Sequence, residues 1–386
     1  MLIKNTPSPT HLTYCLNIHR GETWSENLAA IREHALAVRD RVARGKKFGL
    51  GLRLSELAAR ELASPQALRA FKEFLAAENL YVFTINGFPF GRFHGARVKE
   101  NVYSPDWRSP ERLAYTTLLA DILAEILPDG IAGSISTVPC SFKSWLKSEN
   151  EVREMARALA NCAEHLADIE RKSGKLIHLG LEPEPACFLE TTEETLAFFN
   201  GPLSEAGSRD LIRKHIGVCF DTCHVAIQFE DLAESLRRFQ NDGIRISKVQ
   251  LSAALRARGN AESWHALEAF CEPTYLHQTK AQSQSVGNLL SWVDLPDALR
   301  ELPQCDVREA RVHFHVPLFR EKYDALESTA SLLTPEFFAL IADGRVAHWE
   351  IETYTFDALP AELRAIGIVE SIAREFEWVR RMMNAE

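Results

Sequence analysis

The sequence has 386 residues with 44 basic and 53 acidic side chains, a formal charge of −9, and is 46% hydrophobic. That composition excludes a disordered chain and a small cross-linked domain, and the acidic balance argues against a protein that neutralises many nucleic-acid phosphates. Eight scattered cysteines without a C-x-x-C pair, an N-terminus lacking the apolar run of a leader, and no stretch near the roughly 18 apolar residues of a membrane span lead us to expect a cytoplasmic protein with reduced thiols.

Short β-rich runs alternate with stretches of helical period, the pattern of a parallel sheet with crossover helices. Eight runs stand out: His11 to His19, Phe48 to Leu54, Leu80 to Asn86, Gly133 to Val138, Leu176 to Glu182, Ile216 to Asp221, Ile246 to Ser252 and Val346 to Thr353. Most are apolar at consecutive positions, as strands covered on both faces must be. After the first run, Thr23 and Glu26 have capping-box spacing, and Trp24, Leu28, Ile31, Val38 and Val42 recur at helical intervals up to Gly45. Ser64-Pro65 and Ser109-Pro110 each place an N-cap before a proline at the first helical position. A further stripe from Val152 to Ile169 stops at Gly174, and a last helix is predicted from about Pro360 to Met383.

Eight strand-helix units predict an α/β fold, a (β/α)8 TIM barrel forming one domain over residues 1–386. About a hundred residues separate the seventh and eighth runs, far more than one crossover needs. We therefore expect an insertion at approximately 255–345, holding a polar stretch (278–287), a helix from Ser291 to Leu302, and a β-like run from Arg311 to Phe319. Alternation in that run puts His313 and His315 on one face.

Reacting groups of such barrels come from the C-terminal ends of several strands. Here the fifth run ends in Glu182 and Glu184, the sixth in Asp221 and His224, the seventh carries Gln250, and the eighth holds Glu350 and Glu352. Converging carboxylates repel one another unless a cation joins them, and this donor set suits Mn²⁺, Mg²⁺ or Co²⁺, with Zn²⁺ also compatible. The matching chemistry is proton abstraction beside a sugar carbonyl. Plainer readings stand beside this one. Asp221 has the position of a helix cap, Cys219 and Cys223 read first as packing residues, and His313 and His315 read equally as satisfied histidines of the insertion. Phe88, Phe90 and Phe93, set among Gly87, Gly91 and Gly95, fit either core or a shaped loop over the mouth.

Phe220-Asp221-Thr-Cys-His224 together with Leu181-Glu182-Pro resembles the xylose isomerase-like superfamily, which includes sugar-phosphate isomerases and epimerases and barrel endonucleases. Five further segments are similar to the EboE-type barrels of a bacterial gene cluster implicated in metabolite traffic. They are His11-Leu-Thr-Tyr-Cys-Leu-Asn-Ile-His19, Asn86-Gly-Phe-Pro-Phe-Gly-Arg-Phe-His94-Gly, Val102-Tyr-Ser-Pro-Asp-Trp107, His315-Val-Pro-Leu-Phe319 and Glu350-Ile-Glu-Thr-Tyr-Thr355. The resemblance runs from residue 11 to about 360. It implies Glu182, Asp221 and Glu352 as metal ligands, Glu182 and Glu352 as the catalytic acid/base pair, and His224 beside the substrate.

Where the epimerases carry a histidine ligand this chain has Gln250, whose carbonyl oxygen is an uncharged donor. His315 offers a substitute imidazole from the insertion. With Glu184 and His224, we expect His19, Arg53, Asn86 and His94 around the ligand, under a lid spanning Phe88 to Phe93. The first function expected is isomerisation or epimerisation of a small sugar, polyol or related polar metabolite. The second is a barrel that binds or hands over a metabolite without turning it over, and a metal-dependent phosphoesterase ranks third. A homo-oligomer or pathway partners are left open, and no nucleic acid or membrane span is expected.

Overall fold

The computed structural model describes residues 1–3, 6–95, 97–284 and 289–383. Strands form where apolar runs can be covered on both faces: β1 (Thr10–Tyr14), β2 (Phe48–Arg53), β3 (Leu80–Asn86), β4 (Gly133–Thr137), β5 (Ile177–Leu181), β6 (Ile216–Asp221) and β7 (Arg245–Leu251). Nearly every residue of these strands is buried. The chain then builds six short strands, β8 (Leu255–Arg258), β9 (Thr279–Ser283), β10 (Leu289–Trp292), β11 (Val307–Val312), β12 (Lys322–Tyr323) and β13 (Leu326–Ser328), before returning as β14 (His348–Ile351).

Strands β1 to β7 and β14 pair in parallel in the order β1-β14-β7-β6-β5-β4-β3-β2. The ring is nearly closed. Its seam, between β1 and β2, is held by one parallel bridge from Cys15 to Gly51 and by Thr13 Oγ1 donating to Gly49 O at 2.8 Å. A side chain at Gly51 would lie 2.9 Å from Tyr14 O and run into Glu350, so glycine is what lets these strands approach.

The helices follow their sequence signals. Thr23 makes the capping box, Ser64 caps Pro65–Ala77, and Gly174 ends Glu149–Ser173 in the left-handed conformation. The last helix is broken instead of continuous: Ala361–Arg364 and Ile368–Met383 are separated at Gly367, where φ is +78°.

Strands β8 to β13 form a second, antiparallel sheet in the order β10-β9-β11-β8-β13-β12. Two expectations for this segment need correction. The polar stretch at 278–287 contains strand β9, and its residues 285–287 lie outside the described residues. The helix expected from Ser291 is confined to Leu295–Glu301, because Leu289–Trp292 pairs with β9 and Asp294 then supplies the cap. The β-like run stops at Val312, leaving His313 and His315 beyond the ladder.

Polar side chains fill two levels inside the barrel. At the N-terminal end, His11 Nδ1 and Tyr81 Oη are 2.7 Å apart, His348 Nδ1 and Ser134 Oγ are 2.8 Å apart, and the His178 ring stacks on His348. Nearer the mouth, Lys248 Nζ donates to Glu350 Oε2 at 2.6 Å, both side chains being fully buried. Burial acts to discharge this ammonium, but the Glu350 carboxylate prevails and raises its pKa.

Removing one member of that pair strands the other. Lys248→Met should destabilise the protein by about 3–5 kcal/mol, and adding Glu350→Met should restore most of the loss, as read from denaturant unfolding. The lower level sets a pH response. Burial, then the N-terminal ammonium, lowers His11 to about 4, burial and then His11 lower His348 to about 3, and burial chiefly holds His178 well below its ordinary value. Below about pH 6.5 the unfolded chain takes up protons that these folded rings refuse. Their contribution is complete above that pH and is lost as the pH falls. Unfolding free energy should therefore decline from pH 7 to pH 5, with a shallower slope in His348→Gln.

Candidate active site at the barrel mouth

Three carboxylates meet at the C-terminal end of the barrel. Glu182 follows β5, Asp221 closes β6 and Glu352 follows β14, and one oxygen from each lies within 4.8 Å of the others, all buried. Asp221 is a helix cap, but through one oxygen: Oδ1 accepts from His224 N at 3.0 Å and from Ser252 Oγ at 2.7 Å. Glu352 Oε1 accepts from Asn17 Nδ2 at 2.7 Å and Asn86 Nδ2 at 3.1 Å. The other oxygens of both, Asp221 Oδ2 and Glu352 Oε2, accept from no N–H or hydroxyl, and neither does Glu182 Oε2, while the Asp221 and Glu352 carboxyls hydrogen-bond to each other.

The electrostatics follow from that crowding. Burial and then the Asp221 charge push the Glu182 carboxyl well up, and burial and then Glu182 do the same to Glu352. Burial also opposes ionisation of Asp221, yet His224 and His315 outweigh it and hold this carboxyl below its usual range. Burial and mutual repulsion thus favour ionisation of Asp221 over that of the two glutamates. Three crowded, buried carboxyls, each with an oxygen that no N–H or hydroxyl reaches, are what a divalent cation would satisfy, so the residues present fit such an ion.

Histidines stand next to the carboxylates. His315 Nδ1 is 2.9 Å from Glu352 O, His224 Nδ1 is 3.0 Å from Pro183 O, and ligand atoms of Asp221, His224 and His315 lie within 4.8 Å of one another. His313 Nε2 lies 3.0 Å from His224 Nε2 and 3.1 Å from His315 Nε2. Gln250 turns its Oε1 to the Cys219 thiol at 3.0 Å, and its Nε2 has no partner.

Above these groups is a cavity of about 50 Å³, lined by Glu182, Glu184, Glu352, His224, His313, His315, Lys99 and neutral side chains including Asn17 and Asn86. Phe93, Tyr275 and Tyr354 form its roof, with ring centroids 5.2 Å apart in each pair. A strap joins the loop after β3 to the segment before β9: Val98 N and Lys99 N both donate to Thr274 O, at 2.8 and 2.9 Å, and Lys99 Nζ lies 2.7 Å from Asp294 Oδ2. On the wall, Tyr103 donates to Glu184 Oε1 at 2.6 Å, and burial pushes the Glu184 carboxyl up to about 8.

Of the residues expected around a ligand, Asn86, Glu184, His224 and His315 line this cavity. His19, Arg53 and His94 are not among its lining residues. Arg53 braces two loops, donating from Nη1 to Gly21 O at 2.8 Å and from Nη2 to Gly91 O at 2.5 Å. His19 Nε2 is 2.9 Å from Tyr14 Oη, and its ring stacks on His34. His94 packs against the Phe93 and Tyr275 rings. The aromatic loop divides: Phe88 and Phe93 face the cavity, whereas Phe90 packs edge-on against Tyr115. Sequence reasoning assigned no role to Asn17, Tyr103, Tyr275 or Tyr354. Three of these lie inside the segments quoted above for their resemblance, the signal that would have marked them; Tyr275 carried none.

No protein-family model and no curated protein matches the sequence. Solved structures do match. A xylose isomerase-like TIM barrel protein from Mycobacterium smegmatis in complex with magnesium superposes with a TM-score of 0.54 at 12% identity, covering 97% of each chain. A xylose isomerase domain protein from Alicyclobacillus acidocaldarius gives a TM-score of 0.50 at 12% identity, covering 97% of this chain and 98% of that one. With identities so low the likeness speaks for architecture and not for individual residues, and on that ground this chain has the xylose isomerase-like TIM-barrel fold.

Proposed function

We propose that this chain is a divalent-metal-dependent isomerase or epimerase that moves a proton beside the carbonyl of a small sugar or related polyhydroxy ketone or aldehyde. The observation that carries the reading is the meeting of Glu182, Asp221 and Glu352 beneath a roofed cavity, each with a buried oxygen that no N–H or hydroxyl reaches. These three would hold the ion, with Mn²⁺, Mg²⁺, Co²⁺ or Zn²⁺ compatible. When bound, it supplies positive charge next to a substrate carbonyl, which acidifies the adjacent C–H.

Glu182 and Glu352 are the proton-moving pair. They approach from different strands, so one can take a proton from a substrate carbon while the other returns one to it. Asn17 and Asn86 fix Glu352 through its Oε1, which leaves Oε2 turned to its task. Glu184, uncharged near neutral pH because of burial, can donate a hydrogen bond to a substrate oxygen. The aromatic roof keeps bulk water from the exchanging proton.

The segments similar to EboE-type barrels extend this reading to cytoplasmic metabolite traffic, with the chain acting as one domain. They supply much of the cavity lining, including Asn17, Phe88, Phe93, Tyr103 and Tyr354. A carrier that binds such a metabolite without turning it over is the second reading, and it rests on the same roofed cavity.

Two measurements test the proposal. Mn²⁺, Co²⁺ or Zn²⁺ should raise the melting temperature of the metal-stripped protein; at a concentration a hundredfold above Kd the gain is about 2.7 kcal/mol, and Asp221→Asn should abolish most of it. Solvent deuterium should enter at least one member of a ketose panel, about 10²-fold or more slower in Glu182→Gln and in Glu352→Gln. Exchange surviving in the double variant would remove this acid/base pair. Binding of ketoses without any exchange would establish the carrier.

A further inference from the structure

The cavity over the carboxylates is too small for a sugar. It holds about 50 Å³, room for one or two waters at about 30 Å³ each, whereas pockets that take small molecules run to about 300–1,000 Å³. Part of the wall must therefore move before a sugar-sized molecule reaches Glu182, Asp221 and Glu352, and the bonds along the lining show which part.

Most of the wall near the roof is pinned. Arg112 Nη1 donates to Gly87 O at 2.9 Å and to Phe88 O at 3.0 Å, Arg53 Nη2 donates to Gly91 O at 2.5 Å, and Phe93 N donates to Glu22 Oε1 at 2.9 Å. Across the cavity, the Glu272 carboxylate accepts from Thr274 N and Tyr275 N at 2.8 and 2.6 Å. Val98 and Lys99 are held differently. Both line the cavity, and both of their backbone N–H groups converge on the single Thr274 carbonyl. The Lys99 ammonium completes the join, 2.7 Å from Asp294 Oδ2 and 3.3 Å from Glu272 O. Lys99 also has φ of +43°, in the left-handed region that side chains disfavour, so these contacts hold it in a strained backbone. Val98 packs with Phe93, Tyr275 and Tyr354 in a small apolar cluster separate from the continuous core of the barrel.

We propose that Val98 and Lys99 form a gate over the site, latched shut by the pairing of Lys99 with Asp294. Opening breaks two backbone hydrogen bonds and one ion pair, relieves the Lys99 backbone, and disturbs no strand pairing. Asp294 suits the role of catch because its Oδ1 is fixed by His277 N and by Leu295 N, each at 3.1 Å, which leaves Oδ2 aimed at the ammonium. The gate rests on the reading above only in taking this cavity as the place where the ligand binds.

The test reads access directly. Leu276 lines the cavity and is buried, so in Leu276→Cys the rate at which methyl methanethiosulfonate modifies residue 276, followed by peptide mass, reports how often the gate is open. Adding Lys99→Met should speed that labelling about 10- to 100-fold, the worth of one hydrogen bond to a charged group, with cooperative melting retained. Equal rates in the two proteins overturn the gate. Amide exchange of the unsubstituted protein gives a second reading. Val98 and Lys99 should exchange together and well before the amides of β3, and exchange no faster than β3 overturns the gate as well. Neither readout needs bound metal or turnover. A failed gate therefore leaves the isomerase reading standing, and an opening gate without ketose exchange removes the isomerase reading alone.

Discussion

The constraint on which this mouth depends is the burial of three carboxylates, Glu182, Asp221 and Glu352, that, among the described residues, no lysine or arginine pairs with. The contrast with Glu350 is instructive, because it lies two residues before Glu352 on the same strand face and is neutralised by Lys248 within the barrel. Two acids of similar burial are therefore treated in opposite ways. One is neutralised by a protein cation at its Oε2, and the other is held at its Oε1 by two asparagine amides that bring no charge. A fold that needed only stability would repeat the first solution, since an uncompensated buried charge is costly and a paired one is tolerated.

The strands of the barrel were legible because burial on both faces leaves a continuous apolar run, and β3 and β6 begin and end where their runs do. The second sheet was not. Its strands are two to six residues long, too short for a period to be separated from a helix, and Leu289–Trp292 has an apolar content that a helix start would share. Pairing with β9, a tertiary event, decided it. The β-like run around His313 failed for the converse reason: alternation continues past Val312, but the ladder ends there and the histidines turn into the mouth.

The site was legible where charge marks it and silent where it does not. Glu182, Asp221 and Glu352 stand out because acids on an inward face at strand ends have few innocent uses. Arg53 and His19 share that location, yet carbonyls at Gly21 and a tyrosine hydroxyl engage them, and a sequence gives no sign of which loop will fold back over a strand end. Asn17 and Tyr354 have no charge to draw notice, although one fixes Glu352 and the other closes the roof.

Asp221 ties these strands of argument together. Its bland reading as a helix cap and its functional reading as a ligand are both present in one side chain, divided between two oxygens. Capping by Oδ1 locks the carboxylate in orientation, since the His224 amide and the Ser252 hydroxyl approach it from different elements. That lock aims Oδ2 with little rotational freedom, which is the preorganisation a ligand needs. The six-residue helix begun by this cap also carries His224, so one local motif, strand end and helix start, delivers a carboxylate and an imidazole to the same point. The second sheet completes it from the other side: Gln278 precedes β9, His313 and His315 follow β11, and antiparallel pairing of those strands brings the amide to the ring it orients. The barrel thus supplies the anionic half of the mouth and the segment between β7 and β14 supplies much of the imidazole half, so the chemistry of the site depends on both sheets being formed.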